Sequence, residues 1–404
     1  MAKKPAKAKP NISVVPMLLR KNFVGAFRML RGFMKMEICR RKKRQFENYD
    51  HMKNFALIYL KLTPVCNLKC VMCGQRGDKG YLKGEVGVQE SKKILPLKQY
   101  KKLANELSTV RPIYYLWGGE PFLYPDLIPL VKYLKSKKSF VSINTNGTML
   151  EKFAEQIVDA GPDVIFVSLD AFRDINDEIR GKGSYDKVVA GFKAINEAKI
   201  KLNKKAPLMG VVTTVTNKNY KVLADLAEAC KDFKIDVHIY NLGTYTNDKI
   251  VAEQKKYMKE KLDTDIDCLE AYNTGYNKGI NGQECYDILN KIHSTDYGYL
   301  SITVPALNPE KIDEYYGNLE IPVRDHCIVP WCQCDINYNG DVHFCADYTD
   351  YVIGNITEQS FKDIFNGERA NKFRHAIHES KDGMFPGCIR CYQNMLCGQK
   401  RKGY

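Results

Sequence analysis

The sequence predicts an α/β fold, an open partial (β/α)6 barrel followed by a small cysteine-rich C-terminal unit. Three observations carry that expectation. Six short runs rich in Val, Ile, Leu and Tyr lie between Phe55 and about Gly243. Segments of helical period separate them, and half of the fourteen cysteines fall after residue 326. A chain of 404 residues accommodates more than one domain. Its 44% apolar and 27% charged residues are those of a soluble globular protein. No apolar run reaches the eighteen or so residues that a bilayer requires. MAKKPAKAKP, at the N-terminus, has no apolar stretch behind it, so a secretory signal is not expected. The expected location is the cytoplasm, where clustered cysteines read as metal ligands rather than disulfides.

Residues 1–53 form a basic N-terminal arm and amphipathic helix. They hold fifteen Lys and Arg against three acids, a net +12 of the total +15, so the rest of the chain carries little excess charge. The first ten residues read as a disordered arm. Beyond Ser13, Leu19, Phe23, Phe27, Leu30, Met34 and Ile38 recur at steps of three or four, one face of a helix. RRKKR, Arg40 to Arg44, follows. Three readings stand: a helix packed on the body with a solvated basic end, a peripheral helix drawn to anionic lipid at the inner membrane face, or a contact with RNA or an acidic peptide. Nucleic acid is not the expected partner.

Residues 54–245 form the barrel. ALIYLKLT from Ala56, IYYLW from Ile113 and SFVSIN from Ser139 are its first three strands. VIFVSLD from Val164, LMGVVTTVT from Leu208 and IDVHIYNL from Ile235 are the other three. Nearly continuous apolar strands suit a parallel sheet covered on both faces. LKQYKKLANELSTV and YDKVVAGFKAINEAKI supply crossover helices between strands. Six units fall short of the eight that close a barrel. Residues 246–326 read as a polar bridge with one apolar run, YGYLSITVPAL; residues 327–404 read as a separate small unit.

The chemistry begins at CNLKCVMC, Cys66 to Cys73, directly after the first strand. Enzymes of this architecture place their sites at C-terminal strand ends. Three thiolates are one short of a closed zinc or 4Fe–4S site. The nearest other cysteines, Cys39 and Cys230, are distant in sequence. A structural zinc or cluster is one reading; a cluster with one iron open to another ligand is the other.

Cys66-x3-Cys70-x2-Cys73 resembles the signature of the radical S-adenosylmethionine (radical SAM) enzymes. That resemblance implies a 4Fe–4S cluster whose open iron takes S-adenosylmethionine, which reductive cleavage converts to methionine and a 5′-deoxyadenosyl radical. Gly118-Gly119-Glu120-Pro121 follows the second strand and resembles the family's GGEP motif, expected to hold the methionyl amino group. As a bare tetrapeptide it reads equally well as a simple turn. Asn146 ends the third strand and Ser168 the fourth, with Arg180 shortly after; by resemblance the latter two contact the ribose and carboxylate of SAM. Loop capping is the plain alternative for both. Met72 corresponds to the position that packs on adenine.

In the C-terminal unit Asn339-Gly340 supplies a tight turn and Gly340-x4-Cys345 follows, which resembles the hairpin of the SPASM/twitch auxiliary-cluster domains. Taken as twitch-like, Cys327, Cys345, Cys388 and Cys391 supply an auxiliary 4Fe–4S cluster, with a structural zinc as the alternative. Cys332, Cys334 and Cys397 stand outside that set, and a second auxiliary cluster is in doubt because the chain ends GQKRKGY without further cysteines. Asp347 is the candidate acid that takes a substrate proton. The resemblance implies an anaerobic enzyme fed electrons by a reductant such as flavodoxin or ferredoxin. It would abstract a hydrogen atom from a small-molecule or lipid-linked substrate. A peptide-modifying maturase is the first alternative and a non-catalytic iron–sulfur electron carrier the second.

Overall fold

The structure is a computed structural model that describes residues 20, 22–41, 50–308, 310–346 and 348–400. The first ten residues, Leu19, Lys42 to Arg44 and Asp347 lie outside the described residues.

Twelve strands are described. They are β1 (Leu57–Lys61), β2 (Ile113–Trp117), β3 (Phe140–Thr145), β4 (Val164–Ser168), β5 (Leu208–Thr214) and β6 (Val237–Asn241). β7 (Leu300–Val304), β8 (Arg324–Asp325), β9 (Gln333–Ile336), β10 (Asp341–His343), β11 (Gly354–Asn355) and β12 (Gln399–Lys400) follow. Ten of them make one sheet in the order β11-β10-β9-β1-β2-β3-β4-β5-β6-β7, with β8 and β12 paired separately. β1 to β7 are parallel neighbours throughout, and the sheet does not close on itself. The open partial barrel is therefore present, with a seventh strand. That strand is the YGYLSITVPAL run, which lies beyond residue 245 and continues the barrel in register, Ile239 opposite Ile302.

The strand register sorts the side chains. Tyr59, Tyr115 and Phe166 fall on the concave face, where Tyr59 and Tyr115 have ring centroids 5.0 Å apart. Ile58, Leu116, Ile143 and Val167 point the other way into the fully buried layer under the helices. Those helices include the two expected crossovers, Leu97–Glu106 and Ser184–Lys201, together with Leu127–Ser136 and Leu150–Ala160.

The C-terminal unit is not separate. β9 pairs parallel with β1, Leu57 opposite Gln333 and Leu60 opposite Ile336, so the cysteine-rich hairpin extends the barrel sheet. One continuous apolar core includes Leu60, Ile336, Phe344 and Phe365. Hydrogen bonding thus runs across the expected boundary at residue 327.

The first long helix, α1 (Phe23–Arg41), packs on the N-terminal ends of the strands. Asn22 donates to Asp163 (2.8 Å) and Arg28 to Ser139 O (3.4 Å), just before β4 and β3. Lys35 donates to Val110 O (3.0 Å) and Phe55 O (2.8 Å), ahead of β2 and β1. The Cys39 thiol reaches Trp331 O (3.5 Å), ahead of β9. The helix is thus a floor laid across the strand starts, from β4 to β9. Its seated face is Gly25, Ala26, Met29, Gly32, Met36 and Cys39. A Cβ on Gly32 would lie 2.5 Å from Ile113 Cδ1, so the small residues set how closely the helix approaches. The apolar stripe expected from the sequence is on the opposite, outer face: Phe23, Phe27, Leu30, Met34 and Ile38 are all exposed.

Candidate functional site

The cysteine loop leaves β1 at its C-terminal end, and the next two strand ends hold it. Gly119 N donates to Thr63 O (2.7 Å) and Glu120 N to Val65 O (2.8 Å), laying the Gly-Gly segment flat on the backbone that leads into Cys66. A Cβ on Gly119 would stand 2.1 Å from Val65 O, and Gly118 has φ +144°. Both positions therefore require glycine.

Glu120 is fully buried. Its carboxylate accepts from Phe122 N (3.1 Å), Thr145 Oγ1 (2.7 Å) and Asn146 N (2.8 Å). Burial raises its pKa, and those three donors pull it back down. The side chain expected to grip the methionyl amino group is thus engaged inside the protein, clamping the end of β3. Asn146 carries the clamp onward. Its amide donates to Asn67 Oδ1 (2.8 Å) and lies 3.8 Å from Cys66 Sγ.

Arg180 closes the other side of the loop. Val71 N donates to Ile179 O (3.0 Å), and the Arg180 guanidinium lies 3.9 Å from Cys70 Sγ. Asp170, fully buried, pairs with Arg180 Nε at 2.7 Å and accepts from Thr214 N at 2.8 Å. Burial pushes the Cys70 thiol up to about 12, while Arg180 pulls it the other way. Burial also raises Cys66, against donation from Leu68 N. Ser168 is half-buried at the end of β4, and Met72 is half-buried on the loop. The structure therefore brings the three cysteines, Gly118 to Glu120, Asn146 and Arg180 into one constellation, with Ser168 on the same rim.

In the C-terminal unit, Cys345 and Cys388 line one cavity, together with Met258, Leu269, Tyr348 and Phe385. Cys327 and Cys391 are near enough to raise the Cys388 pKa beyond the effect of its burial. Cys334 is buried in β9, whereas Cys332 lies beside Cys39 and near Cys397. All fourteen cysteines are free thiols. Among the described residues no three Cys, His, Asp or Glu side chains are drawn to metal-binding distance. The donor chemistry nonetheless suits iron–sulfur clusters: three thiols on a partly exposed loop beside a guanidinium, and two thiols lining a cavity with Cys327 and Cys391 near one of them.

Sequence reasoning missed the groups between the two thiol sets. Lys61, fully buried at the end of β1, donates to Tyr81 Oη (3.1 Å) and Ala346 O (3.3 Å) and lies 4.8 Å from the Trp117 ring centroid. Trp117 in turn donates to Asp335 (3.0 Å). Tyr272 packs on Gly74, the neighbour of Cys73, and meets Tyr348 edge-on at 5.7 Å. Tyr348 donates to Gly387 O (3.2 Å), next to Cys388. A lysine inside the apolar run ALIYLKLT was the one signal available for this seam.

Residues 60–227 match the model of the Radical SAM superfamily, and residues 327–392 match that of SPASM, an iron–sulfur cluster-binding domain. The two together span more than half of the chain. The chain is 25% identical over 328 residues to the Fe-coproporphyrin III synthase of Methanosarcina barkeri, covering 78% of this chain and 76% of that protein. It is 24% identical over 351 residues to a tungsten-containing aldehyde ferredoxin oxidoreductase cofactor-modifying protein of Pyrococcus furiosus, covering 84% and 88%. The structure of Streptococcus suis SuiB bound to S-adenosylmethionine shares the fold, with TM-score 0.58 and 15% identity over 85% of this chain and 72% of that one. Motifs, strand-end geometry and both matched domains agree: this chain belongs to the radical SAM superfamily and carries a C-terminal SPASM domain.

Proposed function

We propose that this enzyme abstracts a hydrogen atom from a small-molecule or lipid-linked substrate held on the concave face of the barrel. Cys66, Cys70 and Cys73 would hold the 4Fe–4S cluster that binds S-adenosylmethionine. Cys327, Cys345, Cys388 and Cys391 would hold an auxiliary one. Bound together, cluster and S-adenosylmethionine supply a 5′-deoxyadenosyl radical once an electron arrives from a flavodoxin- or ferredoxin-type reductant. The chain's own residues orient the ligand and keep water away. The Gly118–Gly119 backbone gives close approach, while Arg180, fixed by Asp170, presents a cation for a carboxylate. Ser168 and Met72 complete the rim. Glu120 acts by holding Asn146 and the end of β3 in place.

The observation that carries this reading is the convergence of three separate strand ends on one three-thiol loop. Relatives that cover most of the chain support a small-molecule substrate, being named for Fe-coproporphyrin III, pre-heme d1 and a cofactor. One SuiB structure holds a precursor peptide, but its 14% identity speaks to fold alone. Anaerobically reconstituted protein, incubated with dithionite and S-adenosylmethionine, is expected to release 5′-deoxyadenosine. Cys70→Ala should bring that release to background. Undiminished release from the variant would remove the cluster assignment.

A further inference from the structure

Among the described residues nothing covers the outer face of α1. Phe23, Phe27 and Met34 are 60%, 56% and 58% exposed, and Leu30 and Ile38 continue the same line. Val24 and Phe33 widen it. The helix is nonetheless firmly seated through its other face, by the small residues and the hydrogen bonds to the strand starts. Nineteen residues give a rod about 28 Å long, offering a contiguous apolar band of a size that soluble monomers seldom leave bare. Its surroundings are basic. Arg20, Arg31 and Arg41 are exposed, and the one acid on the helix, Glu37, is paired with Arg40 and Arg41. Lys42, Lys43 and Arg44 follow directly, and residues 1–53 carry the net +12 noted above.

We infer that α1 is a docking helix for an anionic phospholipid surface, its apolar band in the interface and its basic flanks against the headgroups. The charge selects this occupant. A second copy of the same band would bring two strongly positive segments together, whereas anionic lipid neutralises them. The placement of the helix also fixes the orientation. Because α1 crosses the N-terminal strand ends, the bilayer would lie beneath the barrel floor, and the cysteine loop at the opposite ends would open toward the aqueous side. Docking thus localises the enzyme without covering its mouth.

The test uses reconstituted full-length protein and vesicles of phosphatidylcholine, alone or mixed with phosphatidylglycerol. Wild type should float with the mixed vesicles and not with phosphatidylcholine alone. It should be released at 1 M salt, where the Debye length is about 3 Å. F27E/M34E, altered only at exposed positions, should lose partitioning by about tenfold or more while cleaving S-adenosylmethionine at the wild-type rate in solution. An outcome in which neither protein floats overturns the inference. So does equal flotation of both, or a wild-type dimer that F27E/M34E abolishes, since the band would then be covered by a second copy.

Discussion

His238 stands on the buried face of β6 with no exposed surface. Thr213 Oγ1 lies 2.8 Å from Nε2 and donates to Leu169 O (2.6 Å), so it accepts from the ring. Nδ1 then accepts from Tyr240 Oη at 3.0 Å. The imidazole is held neutral, and burial lowers its pKa from 6.5 to about 3, with nearby His293 acting in the same sense. An unfolded chain takes up this proton near pH 6.5 and the folded chain does not. The stabilisation is therefore present above pH 6.5 and is lost as pH falls from there toward 3. At pH 5 the loss is about 2 kcal/mol. The stability gap between wild type and His238→Gln, measured by urea unfolding, should accordingly shrink by about that amount between pH 7 and pH 5. A constant gap would mean that His238 titrates as an exposed histidine. At this scale the sequence was readable where residue type and local spacing coincide, as in Cys66, Cys70 and Cys73 or in Gly118 and Gly119. It was silent on the Glu120 clamp, two of whose donors come from Thr145 and Asn146 at the end of β3, and on the partner of Lys61, Ala346, 285 residues away.

Elements were legible in proportion to their apolar periodicity. The six strand runs appear where expected, because continuous branched and aromatic residues suit a doubly covered parallel strand. β7 reads as one apolar run in the bridge and not as a barrel strand, because a long polar segment with two helices separates it from β6. The larger lesson is α1. Hydrophobic size points to the Phe face, whereas the seated face sets Met29 and Met36 among the small residues Gly25, Ala26, Gly32 and Cys39. Packing a helix onto strand ends rewards small residues that allow close approach, a preference that a hydrophobicity count ranks low. The β9–β1 pairing was also out of reach, since parallel partners nearly 280 residues apart leave no local mark. It carries a prediction. Removing residues 327–404 would leave β1 as a bare edge and strip α1 of its Trp331 and Cys397 contacts. The truncated protein should aggregate or lose S-adenosylmethionine cleavage. A monomeric product with full cleavage would show that the C-terminal unit is dispensable to the barrel.

At the scale of the whole molecule, the ten-stranded sheet carries a set of thiols at each of two places, joined by the Lys61 and Tyr272–Tyr348 contacts. Three plus four thiolates predict two 4Fe–4S clusters, about eight irons per reconstituted chain. Replacing Cys66, Cys70 and Cys73 together should leave about four, with no spectral response to S-adenosylmethionine. About twelve irons in wild type would require a further cluster using Cys332, Cys334 and Cys397, and one zinc with no iron in the triple variant would remove the auxiliary cluster. The floor helix has a last consequence, for the order of events during synthesis. α1 emerges from the ribosome early, yet its seats are the starts of β1 to β4, Trp331 and Cys397. At ordinary elongation rates roughly 20 to 70 s separate the making of the helix from the making of its last seat. Through that interval the seated face lacks its contacts with Trp331 and Cys397, while the outer face is as bare as in the folded protein. The nascent chain therefore exposes both faces of α1, and seating the helix buries only the inner one.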